Sequence, residues 1–364
     1  MSQKLAFCAL VLVMLWTPAF GQETAEEWLD EGMDLGMQGK YDEAIQAFDE
    51  AIRLDPEYAD AWYYKGIAFY SLGKYDEAIA AYGEAIRLDP EHAMAWNNKG
   101  LAFHDQGNYT EAIRAYDEAI RLDPQFAWPW NNKGSALHDQ GNYTDAIQAF
   151  DEAISLDPEF AGAWYNKGIA FHNLGKYDEA ISSYDEAIRL DPEYGMAWNN
   201  KGVALYDQGN YSEAVQVLDE AIRLDPGDAL AWYNKGLALG MQDKHVEALM
   251  AFNEAIRLDS KYALAWHNKA IALNKLGNYT EANQACDEAI RLDPENANAW
   301  INKAETLNKL GNYTGAIQAC DEAIRLNPED AEAWHNKGLA LESLGRATEA
   351  NEAHAKAEEL GWAE

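Results

Sequence analysis

A single tryptophan recurs along the chain every 34 residues, without any insertion or deletion. The ten members of the series are Trp28, Trp62, Trp96, Trp130, Trp164, Trp198, Trp232, Trp266, Trp300 and Trp334. A strict period of this length is the signature of a repeat architecture, in which each unit buries its apolar face only against its neighbours. The period therefore predicts one continuous stack of ten units, whereas the length of 364 residues alone would suggest two or three globular domains.

The third repeat shows why each unit is predicted to be a pair of α-helices. Apolar residues at helical spacing predict a first helix over 95–104 and a second over 111–122, with a turn at Gly107. Thr110 is expected to cap the second helix, and Pro124 to end it. Small residues at fixed places in every unit allow the two helices to approach closely.

A 34-residue helix–turn–helix unit of this kind resembles the tetratricopeptide repeat (TPR), and the resemblance covers residues 25–358. It implies an all-α fold, an α-solenoid built as a right-handed superhelix of antiparallel helix pairs. The first helix of each pair is then expected to line the inner face. Residues 22–364 are predicted to form a single solenoid. Its ten repeats are 25–58, 59–92, 93–126, 127–160, 161–194, 195–228, 229–262, 263–296, 297–330 and 331–364.

Residues 1–21 differ from the rest of the chain because they contain no acidic residue. Lys4 precedes an apolar stretch from Leu5 to Trp16, and the segment ends with a small–x–small pattern at residues 19–21. This order is typical of a secretory signal peptide, so we expect an exported protein, either secreted or held in the cell envelope. A membrane anchor over residues 5–20 is the alternative, although the apolar stretch is shorter than the roughly 20 residues that span a bilayer.

The chain is strongly acidic, with 28 Lys and Arg residues against 62 Asp and Glu residues and a formal net charge of -34. It has no basic stripe that could release counterions from phosphates, which excludes nucleic acid as a partner and disfavours anionic lipid. The sequence also lacks a glycine-rich phosphate loop, a metal motif and a nucleophile constellation. We therefore expect no catalytic residues, no cofactor and no enzymatic activity.

The predicted ligand-binding groove follows from positions counted within each repeat. With the recurring Trp at position 4, positions 2, 5, 6, 9, 12 and 13 share the opposite face of the first helix. TPR proteins usually bind their partners through these positions. The candidate groove residues are Tyr63, Asn97, Asn98, Trp128, Asn131, Asn132, Tyr165, Asn166, His104, His138 and His172.

Asparagine fills position 6 in eight repeats, although it is a poor helix former and helix packing does not call for it. Two explanations stay open. An amide ladder would hydrogen-bond an extended partner chain, whereas duplication of the whole unit would copy the Asn without any function. Trp128 is predicted to be a binding anchor because it is an extra Trp, unique to the fourth repeat. Its alternative is a ring folded against Pro129.

Three further residue types are predicted to have structural roles. His104, His138 and His172 stand on successive repeats, about 10 Å or more apart, so a stacking or hydrogen-bonding row is expected in place of a zinc site. Cys286 and Cys320 are also one repeat apart and are expected to be buried fillers without a disulfide. The Lys at position 7 of nine repeats is expected to meet an acid of the preceding repeat, such as the Asp of its Asp-Pro turn.

Five turns between paired helices carry the N-glycosylation pattern Asn-Tyr-Thr/Ser. In an exported protein these asparagines are candidate glycan sites. The same residues also suit a tight turn followed by a helix cap, and this alternative stays open. The candidate sites are Asn108, Asn142, Asn210, Asn278 and Asn312.

Together these features predict a non-enzymatic scaffold that binds an extended peptide or protein segment in its inner groove, outside the cytoplasm. A carbohydrate-binding or envelope-associated role is the alternative, since Asn and aromatic side chains also suit sugars. The carboxylate clamp of some TPR domains is not supported, because positions 2, 5 and 9 carry no Lys or Arg. An uncharged or basic partner therefore fits best.

Overall fold

A computed structural model of the chain describes residues 24–362, which fold into twenty α-helices joined by short turns, with no β-strand among them. The predicted signal peptide and the alternative anchor lie outside these residues. Within 24–362, every helix is too short or too polar to traverse a lipid bilayer. The helices are α1 Ala25–Met37, α2 Tyr41–Leu54, α3 Ala59–Ser71, α4 Tyr75–Leu88, α5 Ala93–Asp105, α6 Tyr109–Leu122, α7 Ala127–Asp139, α8 Tyr143–Leu156, α9 Ala161–Asn173, α10 Tyr177–Leu190, α11 Gly195–Asp207, α12 Tyr211–Leu224, α13 Ala229–Gly240, α14 His245–Leu258, α15 Ala263–Lys275, α16 Tyr279–Leu292, α17 Ala297–Lys309, α18 Tyr313–Leu326, α19 Ala331–Ser343 and α20 Ala347–Glu359.

The chain divides into two compact units, Met1–Gln140 and Gly141–Glu364, whose described parts are 24–140 and 141–362. Inside each unit, the two helices of a repeat pack against each other, and each second helix also packs against the first helix of the next repeat. This arrangement confirms the predicted all-α fold of stacked helix pairs.

The turn between paired helices depends on a glycine in the left-handed backbone region. Gly107 has a φ of 76°, which glycine adopts without the steric cost of a Cβ. After it, α6 begins at Tyr109, two residues earlier than predicted. The predicted cap at Thr110 is wrong because Asn108 occupies the N-cap and accepts a hydrogen bond from the backbone N–H of Glu111, at 3.5 Å.

An Asp-Pro turn ends seven of the ten second helices and leads into the next repeat. Asp191 is extended, with φ −132° and ψ 92°, because the residue before a proline is excluded from helical backbone. Its carboxylate accepts the backbone N–H of Glu193 at 3.0 Å. The indole Nε1–H of Trp198 then donates to the carbonyl oxygen of Pro192 at 3.0 Å. The same indole bond ties six of the recurring tryptophans, from Trp164 to Trp334, to the turn that precedes each of them.

Complementary side-chain sizes let the paired helices approach. Tyr82 is 1% exposed and lies directly on Gly66, where an added Cβ would be 2.6 Å from the ring. In the eighth repeat, Ala270 replaces the glycine, and the residue packed in the same cluster is the much smaller Cys286. The volume added on the first helix is thus removed from the second.

The position-7 lysines meet an acid of the preceding repeat, although not the one predicted. Lys65 Nζ lies 2.5 Å from Asp49 in α2 and 5.0 Å from the centre of the Trp62 ring. The aspartate of the Asp-Pro turn, Asp55, is therefore not the partner. Seven such Lys–Asp pairs occur in the described residues, linking one second helix to the next first helix.

Candidate interaction face

The first helices lie on the inside of the stack within each unit. Consecutive first helices approach each other, from α1 to α7 in the first unit and from α9 to α19 in the second. No such approach occurs between consecutive second helices inside either described unit. Each unit therefore has an inner face built from first helices, as the TPR resemblance implies.

Large apolar side chains at position 2 stand out from these inner faces. In the first unit Met94 is 53% exposed and Trp128 is 57% exposed. In the second unit, Met196, Leu230 and Leu264 occupy the equivalent position, with 61%, 47% and 46% of their surfaces exposed. Exposed apolar residues grouped in this way are typical of surfaces that bind partners. We call these five residues the position-2 row.

The repeated asparagines join neighbouring repeats. In the first unit, Asn98 Nδ2 donates to the Tyr63 hydroxyl at 3.1 Å, and Asn132 Nδ2 donates to Asn97 Oδ1 at 3.0 Å. In both junctions, position 6 of one repeat donates to position 5 of the repeat before it. Asn97 also donates to Asn98 Oδ1 at 3.1 Å, which connects the junctions into a row.

The second unit has the same junctions. Asn200 donates to the Tyr165 hydroxyl at 3.0 Å, and Asn234 donates to Asn199 Oδ1 at 3.0 Å. The statement that packing does not call for the position-6 Asn is therefore wrong, because the amide satisfies a polar atom at the repeat junction. Neither open explanation of the Asn included this role.

Position 5 is largely removed from solvent. Tyr63, Asn97 and Asn131 are 9%, 5% and 7% exposed, whereas Asn98 and Asn132 are partly buried. Burial of Tyr63 raises the pKa of its phenol, and the hydrogen bond from Asn98 opposes that rise. Ligand binding by these side chains stays a prediction. The large exposed apolar side chains of the inner faces belong to the position-2 row and not to position 5.

The predicted histidine row lies beside aspartates, although His104 Nε2 itself makes no hydrogen bond. His104 Nε2 lies 2.9 Å from Asp139 Oδ2, so position 12 of one repeat meets position 13 of the next. His138 Nδ1 is 3.0 Å from the other oxygen of Asp139. In the second unit His172 Nε2 is 2.8 Å from Asp207. Across residues 24–362, no three potential ligand side chains gather in a way that could hold a metal ion.

Cys286 and Cys320 are free, buried thiols, as predicted. Burial is the main cause that raises the pKa of each thiol to about 12. A thiol with such a pKa is a poor nucleophile near neutral pH. Their positions opposite Ala270 and Ala304 explain them as volume-matched core residues.

The five glycan candidates lie at the N-caps of second helices, on exposed turns. Asn312 shows their structural role, because its side chain accepts the backbone N–H of Gly315 at 3.1 Å. Glycan attachment at Asn108, Asn142, Asn210, Asn278 and Asn312 stays a prediction.

One apolar cavity of about 490 Å³ was not foreseen from the sequence. It lies between the first two repeats and is lined by Met33, Met37, Tyr41, Tyr64 and Ile67. The signal for it was present at Gly36, because the second to sixth repeats carry Tyr or His at position 12.

Among solved structures, the chain is similar to the APC/C hetero-tetramer Cut9–Hcn1, at 18% identity and a TM-score of 0.54, over 88% of this chain and 78% of that chain. A tetratricopeptide repeat protein from Parabacteroides merdae is 17% identical with a TM-score of 0.52, over 68% of this chain and 98% of that chain. The C-terminal part of a TPR repeat-containing protein from Cytophaga hutchinsonii is 19% identical with a TM-score of 0.52, over 66% and 98%. These likenesses concern the fold alone.

A search of curated protein sequences gives no match. A family model described as tetratricopeptide repeat matches residues 29–85, 66–125, 131–195, 173–229, 199–263 and 267–330. A second model with the same description matches residues 319–352. Since these matches cover most of its length, the chain belongs to the tetratricopeptide repeat family.

Proposed function

We propose that the chain is a non-enzymatic scaffold that binds extended segments of partner proteins along the inner faces of its units. The position-2 row carries this proposal, because it exposes Met, Leu and Trp side chains on a chain with a net charge of -34. Removing such groups from water supplies the main driving force for association. The TPR fold is itself a scaffold of protein interaction.

The partner segment is expected to be apolar, with a neutral or positive charge. Position 2 is uncharged from the third to the eighth repeat, and positions 5 and 6 are uncharged there too. The acids at position 13 are already engaged, as Asp105 accepts the Tyr70 hydroxyl at 2.5 Å. Methionines at Met94 and Met196 adapt their shape to different apolar groups.

Peptides selected from a random displayed library against residues 22–364 test this proposal. Affinities of the selected peptides are measured by fluorescence polarisation for the parent chain, Trp128→Ala and Met196→Ala. Met250→Ala is the matched control, because Met250 is 65% exposed but lies on the second helix α14. We expect losses of about tenfold or more for one or both inner-face variants, as for interface hot spots, and no loss for the control. Equal affinity for all four proteins overturns the assignment.

We further propose that the protein is exported, on the basis of residues 1–21. N-terminal sequencing of the protein purified from its own cells is expected to begin at Gln22, and the protein to be found outside the cytoplasm. A chain that begins at Met1 and stays in the cytoplasm contradicts export. A chain that keeps residues 5–20 and sediments with membranes favours the anchor.

Glycan attachment is a separate proposal that depends on export. The intact mass of the native protein before and after deglycosylation tests the five candidate sites. An unchanged mass means that these residues serve only as turns and caps. A glycan-binding screen separates peptide binding from the alternative of carbohydrate binding.

A further inference from the structure

The cavity between the first two repeats has almost entirely apolar walls. Met33 and Met37 come from α1, Tyr41 from the start of α2, and Tyr64 and Ile67 from α3. Its volume of about 490 Å³ exceeds what one aromatic ring needs. Met37 is 80% exposed at its edge, so the cavity opens to solvent.

Other repeats of this chain show what belongs in such a space. At position 12, Tyr70 packs on Tyr75 with ring centres 5.6 Å apart, and His104 packs on Tyr109 at 5.3 Å. In each case a position-12 ring covers the tyrosine that begins the second helix. The first repeat has Gly36 at position 12, and a Cβ added there would meet nothing within 4 Å. Tyr41 therefore has no covering ring from position 12, as is also the case for Tyr279 and Tyr313, whose repeats carry Asn at that position.

The same helix faces carry acidic residues beside the cavity. Glu26, Asp30, Met33 and Met37 follow one stripe of α1, at spacings of four, three and four residues. On α3, Asp60 occupies the position equivalent to Glu26, and Ile67 the one equivalent to Met33. The α1 stripe is therefore acidic near the start of its helix and apolar near its end, and the α3 stripe begins with an acid and continues with Tyr64 and Ile67 before Ser71.

The charges of these carboxylates act on one phenol. Tyr58 lies between the two repeats, where burial and the charges of Asp60, Glu26 and Asp30 raise the pKa of its hydroxyl. Glu26 and Asp30 take part in no ion pair within residues 24–362. Their charge is thus available to a cationic partner.

We propose that this cavity receives one aromatic side chain of an extended, positively charged partner segment, with the ring on Tyr41 and a neighbouring Lys or Arg beside Glu26, Asp30 and Asp60. The inference rests on the proposed scaffold function and adds a subsite with a defined occupant. Seven helical residues separate Glu26 from Met33, which is about 10 Å. An extended chain covers this distance in about three residues. A basic residue two or four places from the ring therefore reaches the acids with its flexible side chain.

The methionine methyl groups provide a direct readout. The chain is labelled with ¹³C at the methionine methyls, and Met33 and Met37 are followed by NMR while Met250, on the second helix α14, serves as the internal control. The probes are p-cresol, which is the tyrosine side chain alone, and the symmetric peptide acetyl-KSKSYSKSK-amide. The same peptide with Ala for Tyr, and the version with Glu for every Lys, separate the contributions of ring and charge.

Two substitutions at one residue test the site. Gly36→Tyr inserts the ring that the second and sixth repeats carry at position 12. It is therefore expected to lower the affinity for p-cresol and for the tyrosine peptide at least tenfold, and to raise the unfolding temperature. Gly36→Ala adds only a methyl group into open space and is expected to change affinity less than threefold. Gly36→His, after the third repeat, replaces Gly36→Tyr if the latter does not fold.

The expected result is that Met33 and Met37 shift with p-cresol and the basic tyrosine peptide, while both control peptides bind at least tenfold more weakly. Undiminished binding by Gly36→Tyr, or equal shifts at Met33, Met37 and Met250, overturns the subsite. If the NMR titration fails, the proposed peptide binding at Trp128 and Met196 still stands. If instead Trp128→Ala and Met196→Ala keep full peptide affinity while Met33 and Met37 still shift with the probes, only the scaffold proposal is rejected.

Discussion

The ammonium group of Lys99 faces Gly83, where an added Cβ would lie 3.8 Å from Lys99 Nζ. In the next repeat the equivalent lysine, Lys133, is paired with Asp117 at 2.6 Å. Lys99 has no acid at that place and lies 5.4 Å from the centre of the Trp96 ring. Burial lowers the pKa of its amine, and Glu111 offsets the effect in part. The junction therefore contains a partly buried cation without the partner that other repeats supply.

We expect Gly83→Asp to stabilise the chain by supplying this partner. Gly83→Ala is the control, because replacing a helix glycine contributes about 0.5–1 kcal/mol by itself. Urea denaturation in low and high salt separates the two effects, since only the Asp variant should lose part of its gain at 1 M NaCl. The pKa of Lys99, followed by NMR of its side chain, is expected to rise in Gly83→Asp alone. A salt-independent gain and an unchanged amine pKa would contradict the ion pair.

The size match between Gly66 and Tyr82 gives a second prediction. Gly66→Ala places a methyl group 2.6 Å from the ring and is expected to cost about 1–3 kcal/mol of unfolding free energy. Tyr82→Cys should also destabilise, because it removes a buried ring. The double variant copies the Ala270–Cys286 combination of the eighth repeat. We expect a favourable coupling energy of about 0.5–3 kcal/mol in the double-mutant cycle, and additive effects would show that the two sizes are not matched.

The Asn junctions are expected to contribute to stability rather than serve only as a surface. Asn234→Ala removes the donor to Asn199, whose side chain is 5% exposed, and leaves its oxygen without that bond. The expected cost is about 1–3 kcal/mol in urea denaturation. Asn253→Ala, an exposed site on α14, is the control and should change the free energy by less than about 0.5 kcal/mol. Equal changes in unfolding free energy for Asn234→Ala and Asn253→Ala would contradict a structural role of the junction amide.

His267 is expected to make the second unit sensitive to acid. Burial lowers the pKa of its imidazole, and its Nδ1 is buried without a hydrogen bond. Because the folded-state pKa is below the ordinary value of about 6.5, the stabilising contribution is present above that pH and is lost as the pH falls towards the folded-state pKa. His267→Tyr, which copies Tyr233 at position 5, removes this titration. Urea denaturation at pH 7.5 and pH 5 should therefore show a smaller acid-induced loss for the variant, and an equal loss would contradict the assignment.

The repeat period made the helix pairs predictable, because Trp, Gly and Ala return at the same places in each unit. Contacts between repeats were harder to predict from the sequence. The partner of Asn98 is Tyr63, 35 residues earlier, and the partner of Lys65 is Asp49 and not Asp55. Choosing between acids six residues apart requires the angle at which a second helix crosses the next first helix. The spacing of residues within one repeat does not determine that crossing angle.

The same limit applies to the candidate site. Helical spacing placed positions 2, 5 and 6 on one side of the first helix, but burial of Asn97 depends on how closely the next first helix approaches. Trp128 and Met196 remained exposed because position 2 lies nearer the helix start. The cavity beside Tyr41 could be predicted only by comparing repeats, because Gly36 stands where the second to sixth repeats carry Tyr or His.

The alternation of acceptors at position 5 has a consequence for how such a chain changes its length. Asn200 donates to a tyrosine hydroxyl and Asn234 to an asparagine oxygen, with the same 3.0 Å separation. One donor thus fits two chemically different acceptors in one geometry. We therefore expect that a block of 34 residues removed or inserted between such junctions leaves ends that can form the same hydrogen bond. Within each compact unit, the junction chemistry therefore favours changes of length by whole repeats rather than by single residues.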